Sequence, residues 1–245
     1  MKKLTTLLVM LFFTAGMAIG QTQNNEATVD QLSVNNSEVS IDQQGTVNDA
    51  TAYQNDGGNF DIDIQQTGSL HEATATQQGP NGGMEMWIKQ IGGDNNLANV
   101  TQNRGQNHWA DILQEGSDNE LTLTQDNTDT RAEVKQIGNL NIADLTQINK
   151  AFNSLSNLDV TQDGDDNYAF VNMEGIGEAN NVRIYQETNG NSASVTQLLN
   201  VAGNNADLEQ IGLDNMMTVD QLSDYNTANL TQHGNDNTAT VTQQD

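Results

Sequence analysis

The chain has no cysteine, one proline among 245 residues, an aromatic content of 4%, and eight basic residues against 33 acidic ones. Each shortage excludes something. Without cysteine there is no disulfide framework, the usual staple of an exported protein. A compact globular core of this size normally draws on more aromatic and branched apolar surface. A net charge of −25 repels the phosphates of nucleic acid and works against electrostatic docking to anionic lipid. What fills the chain instead is Asn, Gln, Thr, Asp and Gly, a composition that by itself suggests disorder. The order in which these residues come overturns that reading.

Residues 1–20 are of another kind. Lys2 and Lys3 form a basic start, Leu7 to Phe13 is an unbroken apolar run, and Ala18-Ile19-Gly20 supplies small residues at a cleavage site. This is the pattern of a Sec signal peptide, too short for a membrane span. The mature chain is expected to start at Gln21, with six basic against 33 acidic residues and a net charge of −27. No cysteine follows the apolar run, which excludes a lipoprotein anchor, and no transmembrane segment is expected in the mature chain. The domain reading is a signal peptide over 1–20, a short segment over 21–24 and one repeat region over 25–245.

Glutamine recurs every 11 to 13 residues, at Gln31, Gln43, Gln54, Gln66, Gln77, Gln90, Gln102, Gln114, Gln125, Gln136 and Gln147. After a longer step it continues at Gln162, Gln186, Gln197, Gln210, Gln221, Gln232 and Gln243, with Met173 in the one missing place. These 19 anchors define half-repeats of the form N-x-A-x-V-x-Q, as in Asn96-Ala98-Val100-Gln102 and Asn191-Ala193-Val195-Gln197. The four named positions share one parity, so in a strand they point to one face. Period two bounded by Gly, Asn and Asp predicts a half-buried strand followed by a turn. Apolar spacing of three and four, which a helix needs, is missing.

A second periodicity sets the unit. Counting half-repeats from Gln31, glycine stands two residues after the anchor in eight of the nine even-numbered ones: Gly45, Gly68, Gly92, Gly116, Gly138, Gly164, Gly212 and Gly234. Among the odd-numbered ones only Gly79 and Gly175 do so. Two kinds of turn therefore alternate, and the unit is a strand pair of mostly 22 to 24 residues. Seven of the eight glycines have Asn three residues on, while Gly68 meets His71. This Q-x-G-x-x-N signature, flanked by N-x-A-x-V-x-Q, resembles the curlin repeat over about residues 25–243.

Stacked strand-turn-strand units predict an all-β fold, a β-solenoid of two parallel sheets and about nine and a half layers, spaced ~4.8 Å. Inward Asn and Gln are costly unless paired; in register, each amide donates to the next layer and forms a ladder. No capping helix is evident before the first repeat or after Asn237–Gln243, so both ends are expected to offer unpaired strand edges. Open-ended addition of identical copies yields a filament. The resemblance implies the biology: a secreted, homopolymeric subunit of extracellular curli-like amyloid fibres for biofilm matrix and adhesion, or else the nucleator subunit. It also implies as partners a nucleator and outer-membrane secretion machinery.

Several residues invite sharper readings. Asp163, Asp165, Asn167 and Glu174 fall on a calcium-loop spacing, but Tyr168 stands where that loop needs glycine, so a solvated turn is expected. His71 and His108 occupy Asn positions and His233 a turn, which gives no convergent zinc ligands. No metal or other cofactor is expected. Trp87, Trp109 and Leu113 are predicted to face outward on adjacent layers, with Arg131 beside Trp109 and with Lys89 and Lys135 flanking Leu113, as a lateral contact or adhesion patch. No nucleophile motif, phosphate loop or repeated catalytic cluster points to an enzyme. The competing reading is a monomeric solenoid binder of calcium or ice. The calcium roll needs G-G-x-G-x-D repeats, which are missing. The ice reading needs a threonine face, and Thr76, Thr101, Thr124, Thr146, Thr161, Thr196, Thr231 and Thr242 are expected to split between the two sheets.

Overall fold

The computed structural model describes residues 24–80, 82–150, 155–175, 180–199 and 203–244. The signal-peptide reading of residues 1–20 lies outside them. The described residues form 19 strands. In chain order they are β1 (Glu26–Asn35), β2 (Glu38–Thr46), β3 (Asp49–Gly58), β4 (Phe60–Ser69), β5 (Glu72–Gln78), β6 (Met84–Asp94), β7 (Leu97–Asn103), β8 (Trp109–Glu115), β9 (Glu120–Asn127) and β10 (Thr130–Ile137). The remainder are β11 (Ile142–Asn149), β12 (Ser156–Asp163), β13 (Tyr168–Gly175), β14 (Asn181–Glu187), β15 (Ser192–Leu199), β16 (Asn205–Ile211), β17 (Met216–Gln221), β18 (Thr227–His233) and β19 (Thr238–Gln243).

Odd strands form a ten-stranded first sheet and even strands a nine-stranded second sheet, each in chain order and parallel. The chain is therefore a β-solenoid of nine and a half layers, with no helix among the described residues. Register follows the glutamines: Gln31 lies on Gln54, then Gln77, Gln102, Gln125 and Gln147 in the first sheet. In the second, Gln43 lies on Gln66, then Gln90, Gln114 and Gln136. Because side chains alternate, a one-residue slip would exchange the Ala/Val face for the Thr/Asp face, so the pattern specifies the register strongly.

The core is one seam of small and branched residues running the length of the molecule. Its two sides compensate in volume. Where the first sheet contributes only Ala50, Ala52, Ala73 and Ala75, the second contributes Ile62, Ile64, Met86 and Ile88, all buried. Around Leu121 and Leu123 it contributes Ala110 and Ala132 together with Ile112 and Val134, so small residues stand beside branched ones there. Matching small to large in this way lets the sheets stay close without voids, which would otherwise cost contact energy.

Turn chemistry explains why each layer lands on the next. The residue just before the Asn position adopts φ near +55°: Asn95, Asp118, Asp166, Asp214 and Asp236 are examples. Asn and Asp tolerate this left-handed region best among residues with a Cβ. The glycine two after the anchor serves a second purpose, close stacking. A methyl at Gly45 would stand 1.8 Å from the Gly68 carbonyl oxygen, one at Gly116 would stand 2.0 Å from that of Gly138, and one at Gly212 2.1 Å from that of Gly234. One glycine differs from expectation. The end of β6 carries an extra residue, two between Ile91 and Asp94 against one between Thr67 and Ser69 of β4. As a result Gly93, not Gly92, occupies the stacked position: a methyl at Gly93 would meet the Gly116 carbonyl at 2.3 Å, whereas one at Gly92 would meet nothing within 4 Å.

Candidate functional site

The inward glutamines form two columns. In the first sheet the Nε2 of Gln31 donates to the Oε1 of Gln54, and Gln54, Gln77, Gln102 and Gln125 repeat the bond up to Gln147, at 2.7 to 3.0 Å. Past Met173 the column resumes from Gln197 through Gln221 to Gln243 at 2.8 and 2.9 Å. In the second sheet it runs from Gln43 through Gln66, Gln90, Gln114, Gln136, Gln162 and Gln186 to Gln210, at 2.8 to 3.0 Å. Gln232, at the end of that column, turns its amide to the carbonyl of Met216 (3.2 Å) and the N–H of Ala239 (3.0 Å).

Each amide also makes a bond that periodicity does not announce. From Gln43 onward the same Nε2 donates across the core to a carbonyl at the start of the preceding strand of the other sheet, its first or second residue. Gln43 reaches Glu26 (2.8 Å), Gln66 reaches Asp49 (2.9 Å), Gln125 reaches Trp109 (3.0 Å) and Gln243 reaches Thr227 (3.0 Å). One glutamine thus joins its neighbour along the axis and pins the two sheets against sliding. A buried primary amide has two protons to satisfy, and here both are used. That requirement was the available signal, since the along-axis bond accounts for only one proton.

The asparagines line the opposite edge of the first sheet. The Oδ1 of Asn119 accepts the backbone N–H of Asn141, and Asn141, Asn167, Asn191 and Asn215 do the same for the next layer at 3.0 to 3.1 Å. His71 stands in this column and His108 at the equivalent place of the second sheet. The Nδ1 of His71 faces the N–H of Asn96 at 3.3 Å and its Nε2 lies 3.3 Å from the Thr67 carbonyl. This pairing requires a neutral ring protonated at Nε2, because Nδ1 must accept. His108 has its Nε2 at 3.2 Å from the Arg104 carbonyl and its Nδ1 at 2.6 Å from the Thr130 hydroxyl, a group that can donate or accept. Burial pushes both imidazoles below their usual pKa.

Two positions interrupt the columns. Met173 is fully enclosed where Gln would stand, and the Oε1 of Gln197 above it is buried without a hydrogen-bond partner. Thr188 replaces the turn glycine at φ +73°, and beside it the Nδ2 of Asn167 and the Oγ1 of Thr188 are buried without partners. In regular layers that Nδ2 donates to the next turn's carbonyl, as Asn141 does to Gly164 at 2.7 Å.

The outer face of the second sheet brings together the four residues singled out for a surface patch. Arg131 pairs in register with Trp109, its guanidinium 4.3 Å from the ring centroid. Trp87 lies 5.8 Å from Trp109, the rings tilted by 57°. Leu113 stacks between Lys89 and Lys135. The tryptophans border an open groove of about 410 Å³ that Asp63, Gln65, Lys89 and Asp111 also line. On the other sheet the threonines are less divided than expected. Thr76, Thr101, Thr124, Thr146, Thr196 and Thr242 all face out from the first sheet, and only Thr161 and Thr231 from the second. The calcium-loop residues are used otherwise: Asn167 is buried in the Asn column, Asp165 accepts from the N–H of Asn139, and Glu174 pairs with Lys150. Among the described residues no group of three or more His, Asp or Glu side chains converges as a metal site.

A two-sheet parallel solenoid cross-bonded by inward amide columns belongs to the class of solenoid repeat architectures, whose layers present the same template at every level. Two stretches, residues 35–68 and 93–126, match the curlin associated repeat, so the chain carries curlin repeats there. Each match spans about three successive strands, and the register carries the same unit through the unmatched strands. No curated protein matches the chain.

Proposed function

We propose that the protein is a secreted structural subunit that self-assembles end to end into extracellular, curli-like amyloid fibres contributing to matrix and adhesion. The observation that carries this reading is the state of the terminal layers. Among the described residues, β1 and β2 at one end and β18 and β19 at the other pair on one edge only. The inward Val29, Val39, Ile41, Leu230 and Val241 pack on the core while remaining partly exposed. A second copy offers these edges the strand, the apolar seam and the amide columns that every internal layer already has. The curlin-repeat match supports the same reading and is the ground for expecting a nucleator subunit and outer-membrane secretion machinery as partners. The test is X-ray fibre diffraction on the purified protein after incubation: cross-β reflections near ~4.8 and ~10 Å from self-assembled filaments are expected. A β-rich monomer that stays unpolymerised for days would overturn it.

The Trp87–Trp109–Arg131 cluster supports a second role on the same fibre, a lateral contact between filaments. It presents apolar and cationic surface on an otherwise acidic molecule and lies away from the growing ends. Replacing both tryptophans with serine is expected to thin filament bundles in electron micrographs while leaving the elongation rate unchanged. Unaltered bundling would remove the patch from consideration.

A further inference from the structure

Among the described residues the two sheets hold unequal numbers of strands, ten and nine, and this imbalance restricts how a second copy can be added. A copy added by simple translation places its β1 on β19 and continues the first sheet. Its β2 then lies two strand spacings, roughly 10 Å, from β18. A slot one strand wide is left in the second sheet, with unpaired backbone on both walls and the flanks of the inward Ala228, Leu230, Val39 and Ile41 uncovered. Buried or half-buried ladder groups are rarely left unpaired, because each loses its water without gaining a partner.

We propose that successive copies are related by a half-turn about the fibre axis, so that the first sheet of one subunit continues as the second sheet of the next. This inference rests on the fibre reading above. After the half-turn, β1 of the added copy takes the place that would follow β19 in the winding and pairs with β18, while its β2 pairs with β19. Both edges are satisfied and no slot remains. The inward columns match: Ala228 meets Ala27, Leu230 meets Val29, Gln232 meets Gln31, Val241 meets Ile41 and Gln243 meets Gln43. Amide polarity is preserved, since the amide-to-amide bonds of both columns donate towards the C-terminal layers and the added copy supplies the next Oε1; Gln232, turned to Met216 and Ala239 at the free end, has to turn back to join Gln31. The Asn column of the second sheet, Asn180–Asn204–Asn226, continues onto Asn25 and Asn48 of the added copy. No outward acidic residue meets another at the junction: Thr227, Asn229 and Thr231 face Glu26, Thr28 and Asp30.

The absence of cysteine allows a clean test by disulfide trapping in preformed filaments. Chains carrying Asn229→Cys with Thr28→Cys, or Thr240→Cys with Ser40→Cys, place thiols on strands that become neighbours only after the half-turn. Thr240→Cys with Thr28→Cys does so only for simple translation. Within one copy, each pair sits at opposite ends of the solenoid. Oxidation is expected to give a ladder of covalent oligomers on non-reducing gels for the first two pairs and monomer for the third. A ladder from the third pair alone, or from none in preparations whose filaments are seen by electron microscopy, overturns the half-turn while leaving the fibre reading intact. If the unsubstituted protein forms no filaments, the fibre reading fails and this inference with it.

Discussion

Met173 shows how much one rung of an amide column is worth. The thioether fills the space of a glutamine but cannot donate, and it strands the buried Oε1 of Gln197. An unsatisfied buried acceptor costs about 1–3 kcal/mol. A glutamine at 173 would accept from Gln147, donate to Gln197 and have a carbonyl at the start of β12 for its second proton. Met173→Gln is therefore expected to stabilise the folded monomer by about 1–2 kcal/mol, the unsatisfied cost less that of desolvating a new amide; its urea midpoint reports this. An unchanged or lower midpoint would mean that local relaxation has already absorbed the break. The histidines make the same point through pH. His71 must be neutral to accept from the Asn96 N–H at Nδ1, and burial lowers the pKa of both rings below the usual 6.5. The unfolded chain therefore takes up protons first as pH falls below 6.5, and stability is lost from there down to the depressed folded values. Replacing both His71 and His108 with asparagine, the regular occupant of the column, is expected to flatten the fall in thermal midpoint between about pH 6.5 and 5. A slope that survives both substitutions would place the titration elsewhere.

At the scale of the strand and its turn, the period-two pattern carried nearly everything. The parity of Asn96, Ala98, Val100 and Gln102 named the buried face, and the spacing of the glutamines named the register, because a parallel stack allows only one alignment of a repeated unit. The turns were less legible. Gly92 and Gly93 are adjacent, both have an Asn three residues on, and only the bulge after Ile91 decides which of them stacks. The left-handed position before each Asn was hidden by its occupants, since Leu70 and Leu140 hold φ +58° in the places where Asp118 and Asp166 hold +56° and +57°. Val47 is the most strained of this set, a β-branched residue at φ +59° whose side chain is half exposed and contributes little packing. A left-handed conformation costs a residue with a Cβ about 1–2 kcal/mol, and asparagine less. Val47→Asn is accordingly expected to raise stability by about 1 kcal/mol in chemical denaturation. A loss would show that the exposed isopropyl group packs more usefully than its accessibility implies.

Over the whole molecule, stacking concentrates charge as effectively as it satisfies amides. In-register pairing lines up Glu26, Asp49 and Glu72 on one face, and Glu38, Asp61 and Glu85, then Asp111, Glu133 and Asp159, on the other. Like charges at about 4 Å repel by about 1 kcal/mol even in bulk water, and by more near a protein surface. Asp61, Asp111 and Asp159 accordingly hold their protons to higher pH than usual, first because the sheet face desolvates them and then because an acidic neighbour sits in the next layer. For such raised carboxyls the folded chain protonates before the unfolded one, so acidification relieves the fold in the window above their ordinary value of 3.8, opposite in sign to the histidines. Adding a copy to an end brings two bodies of strongly negative charge together, and protonation of carboxylates lowers that charge as the pH falls. Growth should therefore be limited by this repulsion at low ionic strength, where the screening length is about 30 Å at 0.01 M against about 8 Å at 0.15 M. The expected result, followed by amyloid-dye fluorescence, is a lag that shortens on adding salt or millimolar calcium at pH 7 and again on moving to pH 5 at low salt. The shortening by salt should be smaller at pH 5, because part of the charge has already been neutralised. A lag indifferent to all three would show that charge does not limit assembly, and the slow step would then have to be the folding of the first layers themselves.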